Sequence, residues 1–249
     1  MIIIKSPREV ELMRKAGRVV ALVFAKVGPL VQPGVSTEYL NDVAEKVIRG
    51  EGAIPTELGY YGYPASVCLS VNEVLIHGIP SPKIILKDGD IVSLDLCATL
   101  NGYVGDAART FPVGICSDRA LRMIKIAETA FYNGVSKVHA GAHLGDVEHA
   151  IEMTVKANGC SVPRDYTGHG IGTHMHEDPY IPNYGEEGTG PILEEGMTLA
   201  IEPMVLEGRP EVRTLKDGWT VVAKDGKLTS HYENTIVVTK DGYEILTKL

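Results

Sequence analysis

The chain carries four cysteines, Cys68, Cys97, Cys116 and Cys160, and none forms a CxxC pair. That spacing excludes a zinc ribbon and a redox dithiol, and predicts reduced thiols, mostly buried as small hydrophobes in a reducing compartment. A long apolar run is missing as well. The best candidate, Val19 to Val31, is interrupted by Lys26, Gly28 and Pro29, so no segment is expected to cross a membrane. Met1-Ile2-Ile3-Ile4 turns charged at Lys5, too early for the apolar core of a signal peptide, and the expected location is the cytoplasm. Basic blocks are limited to short groups such as Lys5 to Arg8 and Arg14 to Arg18. With 32 acidic against 24 basic side chains and a net charge of −8, specific nucleic-acid binding is not expected. Neither HExxH nor an EF-hand loop occurs, and the glycines that begin at Gly168 do not make GxGxxG.

What is present is an ordinary globular composition, 44% hydrophobic and 22% charged, with room for a substantial core. Ser6-Pro7-Arg8-Glu9 reads as a helix start: Ser6 caps, Pro7 takes the first helical position and Glu9 closes a capping box. Val10, Met13, Gly17, Val20 and Phe24 then recur at the helical period. A turn at Val31-Gln32-Pro33-Gly34 leads to a second amphipathic helix over Thr37 to Ile48. The same helix, turn, helix pattern returns over Leu121 to Val138 and Leu144 to Ala157.

The recurrence has a fixed offset. Gly34 and Gly141, Gly52 and Gly159, and Phe24 and Phe131 are all 107 positions apart. Past the helices, Leu86 to Asp95 aligns at the same offset with Leu193 to Glu202, so that Gly89 matches Gly196 and Asp95 matches Glu202. Each segment is a glycine turn followed by a β-favouring apolar run that ends in a carboxylate. Such runs describe buried strands, where an acid is costly unless compensated. Two half-domains packed about a pseudo-twofold axis, residues 6–112 and 113–249, would bring Asp95 and Glu202 together, and two buried carboxylates at one spot call for cations.

Each of these acids has a second acid downstream. Asn101-Gly102 is a hairpin turn that returns the chain to Asp106, while Asp217-Gly218 and Asp225-Gly226 turns precede His231-Tyr232-Glu233. Between them lies Gly168-His169-Gly170-Ile171-Gly172-Thr173-His174-Met175-His176-Glu177, three of the eight histidines in one stretch, with glycines that allow close backbone approach. Four carboxylates and one imidazole, Asp95, Asp106, Glu202, Glu233 and His169, form a hard ligand set suited to manganese, iron(II) or cobalt, with zinc possible. Four negative ligands balance two divalent ions, and such a pair performs hydrolysis. His174, two positions before His176, could face the same cleft if the segment is extended, the alternative being a partly exposed histidine without a role in the site.

These residues resemble the motifs of bacterial type I methionine aminopeptidases: His77-Gly78-Ile79-Pro80, Asp95, Asn101 to Asp106, Gly168 to Gly172, His176-Glu177-Asp178-Pro179, Ile201-Glu202-Pro203 and Glu233. The likeness runs from about Ser6 to the C-terminus. It implies an α+β "pita-bread" (creatinase/aminopeptidase) fold in one catalytic domain, an antiparallel sheet with helices outside and the site in a central cleft. It implies that Asp95 ligates one metal, that His169 and Glu202 ligate the other, and that Asp106 and Glu233 bridge them. Glu202 would relay a proton as general base and acid, and His77 and His176 would bind the scissile amide and the tetrahedral intermediate. Tyr60, Tyr63, Cys68, Met175, Met204 and Trp219 would line the methionine pocket. The substrates implied are nascent chains and peptides beginning with Met and a small second residue, handled by a monomer in transient contact with the ribosome.

The sequence departs from this pattern at Glu57, Tyr61, Cys97 and Met175, which bear on pocket details and metal tuning without touching the ligands themselves. Proline-directed relatives share the five ligands but usually carry an additional N-terminal domain, and only a few residues precede the first helix here. The interval from His169 to Glu202 is too short for the helical insertion of type II enzymes. A catalytically dead binding module would have lost ligands, and all five are present.

Overall fold

The computed structural model describes all 249 residues. The first half folds as α1 (Pro7–Val27), α2 (Thr37–Gly50), β1 (Ile54–Pro55), β2 (Cys68–Val71), β3 (Val74–Ile76), β4 (Ile91–Leu100) and β5 (Tyr103–Pro112). The second begins with α3 (Asp118–Val135), α4 (Leu144–Ala157), β6 (Thr167–Gly170), β7 (Glu177–Pro182) and β8 (Thr198–Ile201). It continues through β9 (Met204–Leu206), β10 (Val212–Thr214), β11 (Val221–Ala223), β12 (Thr229–His231), β13 (Asn234–Thr239) and β14 (Gly242–Ile245).

The expected capping box is formed: Glu9 N–H donates to Ser6 Oγ and the Ser6 N–H to the Glu9 carboxylate, fixing where α1 starts. The third helix begins earlier than its apolar period predicted, because Ser117 accepts the Ala120 N–H and sets the boundary at Asp118. It also ends earlier, at Val135, with Val138 in the turn that follows.

In the first half β4 is the hub, pairing antiparallel with β5 along its whole length on one side and with β2 and then β1 on the other. In the second half the sheet order is β14-β13-β8-β6-β7, all antiparallel. Each sheet buries its own apolar face. Val19, Val23, Leu40 and Ile48 of α1 and α2 pack with Leu94 and Leu96 of β4, and Phe131 and Ile151 of α3 and α4 pack with Leu199 and Ile236 of β8 and β13. A smaller cluster draws on both halves, with Met13, Cys97 and Val104 against Ala200, Val237 and Leu246.

The halves meet along β5 and β13. Thr235 Oγ1 accepts the Asp106 N–H at 3.0 Å and donates to the Asp106 carbonyl at 2.8 Å, and the Glu233 N–H donates to the Ala108 carbonyl at 3.0 Å. Helix α1 lies over this seam at backbone distance. A Cβ at Gly17 would sit 2.3 Å from the Leu246 carbonyl oxygen, and one at Gly105 would sit 2.6 Å from the Gly17 nitrogen. Glycine is required at both positions because no side chain fits the gap. The acids on β5 and before β13 are thereby held face to face.

One expectation needs correction. Asp95 was read as closing its strand, yet β4 runs on to Leu100, and Asp95 lies mid-strand opposite Cys68 and Ala108. Glu202 does follow the end of β8, since Pro203 supplies no N–H to continue the ladder.

Candidate metal centre

Asp95 and Asp106 project from adjacent strands, with Asp106 opposite Cys97, two residues beyond Asp95. Glu202 follows β8, and Glu233 directly precedes Asn234, which pairs with Ile201. Arg109 holds the Glu233 backbone: its guanidinium donates to the Ala108 and Glu233 carbonyls and to Asn234 Oδ1, and it stacks on the Tyr232 ring at 4.2 Å. Asn183 brackets the break after β8, donating to the Glu202 carbonyl at 3.1 Å and accepting the Met204 N–H at 2.7 Å.

His169 sits on β6, its Nδ1–H donating to the Gly170 carbonyl at 2.9 Å. That bond fixes the tautomer, so the Nε2 lone pair faces Asp106 Oδ2 at 3.7 Å and Glu202 Oε1 at 3.5 Å. The five residues predicted as ligands are therefore gathered at one point. Ligand atoms of Asp106, His169 and Glu233 lie within 4.8 Å of one another, and so do those of Asp95, His231 and Glu233.

Electrostatics at this point favour a bound cation. Burial and then the neighbouring Asp106 push the Asp95 carboxyl well above its usual range. Burial raises Asp106 to about 7, with the Cys97 thiol's hydrogen bond acting in the opposite sense. Glu202 and Glu233 are pushed up by burial, Asp106 and, for Glu233, Glu202. Burial lowers His169 to about 3, so the imidazole is neutral and able to ligate. Asp106 Oδ1 and Glu233 Oε1 are buried with no hydrogen-bond partner, an arrangement that costs free energy unless a cation compensates it. The donor set fits divalent ions.

A cavity of about 190 Å³ opens onto the acids, and Tyr60, Tyr63, Cys68, Met175 and Trp219 line it together with His77 and His176. His77 follows β3 in the left-handed region at φ 57, a conformation that costs roughly 1–3 kcal/mol and recurs at functional sites. The next residue must be glycine, since a Cβ at Gly78 would lie 2.3 Å from the Leu69 carbonyl oxygen. Trp219 stands edge-on to His77 at 6.3 Å and to Tyr63 at 5.1 Å, placed by Asp217 Oδ1, which accepts both the Trp219 and Thr220 N–H groups. Burial and the neighbouring His176 lower His77 to about 4. His176 is lowered by burial; its Nδ1 meets the Tyr60 hydroxyl at 2.8 Å and its ring stands 4.3 Å from that of His169.

One predicted pocket residue, Met204, and two residues whose part was left open, His174 and Tyr61, fall elsewhere. Met204, expected in the pocket, is 0% exposed and packs behind its wall with Leu75, Ile76 and Val221; the backbone after Pro203 turns it into the core. The His174 side chain is 80% exposed beside Thr173 and does not reach the cavity, because the chain bends through Thr173 to His176 instead of extending. Tyr61 is also outside, at φ 46 and edge-on to Tyr60.

Sequence reasoning missed Ile76, Tyr166, Thr167 and, more consequentially, His231, and it flagged Glu57 only as a departure without giving it a place. Glu57 lines the cavity; its Oε1 accepts the Cys97 N–H at 2.7 Å, its Oε2 has no partner, and burial with Asp95 and Asp106 nearby raises its carboxyl. His231 carried one usable signal: two residues before Glu233, it shares a face with that ligand in extended chain.

Comparisons with known proteins agree with this geometry. A family model described as metallopeptidase family M24 matches residues 11–240. The chain is 49% identical over its full length and that of "Methionine aminopeptidase 1" of Bacillus subtilis (strain 168). It is 45% identical to "Methionine aminopeptidase" of Escherichia coli (strain K12), covering 98% of this chain and 93% of that one. Among solved structures, methionine aminopeptidase from Thermotoga maritima superposes with a TM-score of 0.98 at 43% identity over the whole of both chains. Prolidase from Pyrococcus furiosus shares the fold at 23% identity and a TM-score of 0.81, with this chain covering 66% of it.

Proposed function

The chain belongs to metallopeptidase family M24, with the pita-bread fold, and from that premise we propose that it removes N-terminal methionine from peptides and nascent proteins. It is an aminopeptidase that uses divalent metal. The observation carrying the finer reading is the pair of carboxylate and imidazole groups that share Glu233 at the foot of a cavity walled by Tyr63, Cys68, Met175 and Trp219. Two overlapping groups suit two divalent ions, manganese, iron(II) or cobalt with zinc possible; Asp95 would hold one, His169 and Glu202 would hold the other, and Asp106 and Glu233 would serve both. When bound, the ions lower the pKa of a water and polarise the attacked carbonyl.

The protein's own groups do the rest. Glu202, at the cavity, takes the proton of the attacking water and returns it to the leaving amine. His176, oriented by Tyr60, and His77, held by its strained backbone, donate to the scissile amide and to the oxyanion that follows. The apolar wall takes the methionine side chain, and a small second residue is preferred. Residues 1–249 act as one catalytic domain built of halves 6–112 and 113–249, working as a cytoplasmic monomer in transient contact with the ribosome. No helix is long and apolar enough to cross a membrane.

The test is hydrolysis of Met-Ala-Ser against Xaa-Pro peptides by chelated protein to which Mn(II), Fe(II) or Co(II) is restored. Metal-dependent cleavage of the methionyl peptide is expected, and metal-independent turnover or a preference for Xaa-Pro would overturn the reading. His77→Ala is expected to keep its metal and lose about 10²–10³ in kcat.

A further inference from the structure

His231 ends β12 with a side chain only 2% exposed, and neither ring nitrogen has a hydrogen-bond partner among the protein atoms. A buried polar group left unmatched costs about 1–3 kcal/mol, so an imidazole with two unmatched nitrogens calls for a partner that the protein atoms do not supply. Its Nε2 points at the acids, 3.7 Å from Glu202 Oε2 and 3.8 Å from Glu233 Oε2. These separations are too long for hydrogen bonds. The one to Glu233 matches two ligand atoms around one ion, since atoms each about 2.0–2.2 Å from a metal lie roughly 3–4 Å apart. His169 stands in the same relation to its carboxylates, at 3.7 and 3.5 Å. Ligand atoms of His231, Asp95 and Glu233 fall within one sphere of contact, as those of His169, Asp106 and Glu233 do.

We propose that His231 is a sixth metal ligand, its Nε2 binding the ion that Asp95 and Glu233 hold, so that each of the two ions carries one imidazole. The inference rests on the five-ligand reading above and removes the asymmetry that a single histidine implied. A new asymmetry takes its place. His169 donates its other nitrogen to the Gly170 carbonyl, which orients the ring and strengthens the lone pair, whereas His231 Nδ1 has no acceptor. Loss of such an outer partner typically lowers metal affinity by about 10- to 100-fold. The ion on the Asp95 side is therefore the weaker one, filled second and lost first on dilution or chelation.

Chelated protein titrated with Co(II) alone tests this, with proton NMR in water following the solvent-exchangeable, paramagnetically shifted imidazole N–H signals. The unmutated protein is expected to show one such signal with the first equivalent and another with the second. His231→Gln should lose the second signal and bind the second equivalent about tenfold or more weaker by calorimetry, within the range for perturbed ligands. His169→Ala should lose the first. A single signal from the unmutated protein at full loading, or unchanged second-site affinity in His231→Gln, would overturn the proposal and leave the five-ligand reading standing. Unchanged binding in His169→Ala would instead bring down that earlier reading. The signal count in unmutated protein decides the matter even if His231→Gln fails to fold.

Discussion

In the first half, β4 runs unbroken through Asp95 and the chain reverses within Asn101-Gly102, both at positive φ, 53 and 79, before β5 returns with Asp106. In the second half β8 stops at Ile201, the chain passes Glu202-Pro203, and it makes the long excursion of β9 to β12 before Glu233 and β13. Both halves deliver two acids to the seam between β5 and β13, but only the second breaks its strand to do so. The unbroken hairpin makes a rigid anchor. The broken half supplies what the anchor cannot: a glutamate lining the cavity, the Trp219 wall and His231.

If this division is right, the two equivalent acids should fail differently. Glu202→Gln is expected to lower kcat by about 10²–10⁴ even when saturating Mn(II) restores occupancy, because a proton relay is gone. Asp95→Asn should regain much of its turnover as Mn(II) is raised. Equal, unrecovered losses in steady-state kinetics would mean that the halves are chemically as well as structurally equivalent.

A second contrast concerns what holds the second half's loop in place. Lys5, from the segment before α1, pairs with Glu177 at 2.5 Å with both side chains nearly buried, 4% and 6% exposed, and Glu177 Oε1 accepts the His174 N–H. Lys5→Met strands a buried carboxylate and should cost about 3–5 kcal/mol in urea unfolding. A loss near zero would show that the loop carrying Met175 and His176 is held by other contacts.

Metal uptake should depend on pH through the acids and not through His169. With Asp106 raised to about 7, a proton must leave it when metal binds below that pH, so affinity rises by about tenfold per pH unit for each proton released up to about that value and levels off above it. His169, lowered to about 3, is already neutral across this window and adds no slope. Calorimetry of Mn(II) binding in buffers of different ionisation enthalpy counts the protons; none released at pH 6 would contradict the assignment. The smallest effect belongs to the rigid half, where Gly102→Ala places a Cβ in the left-handed region and should cost about 1–2 kcal/mol of stability without changing kcat.

The helices were legible because their signals are local. Ser6 with Glu9 and the apolar spacing of Val10, Met13 and Val20 need no tertiary context, and α4 matches its predicted Leu144–Ala157 span. The metal acids were legible because the repeat set Asp95 and Glu202 at one offset of 107 and the Asn101-Gly102 turn returned Asp106 beside the first. Asp95 was misplaced at a strand end because an acid in an apolar run resembles a terminus when the neighbouring strands that bury it are unknown. Met204 was misassigned, and His174 was left open between the cleft and solvent, for a related reason: which way a side chain faces after Pro203, or through the bend at Thr173 to His176, depends on backbone direction that composition does not encode.

The sequence by itself determined the helices, the 107-residue recurrence and the residue types of the candidate ligands, since period, turn residues and carboxylate spacing are properties of the chain. The motif also named His169, but only the tertiary structure brought His231 to the same acids. His169 and His231 lie on different strands and neither has a partner in the repeat, so their approach to the carboxylates is fixed by the β5–β13 seam and by the break after Glu202, contacts between residues far apart in the chain.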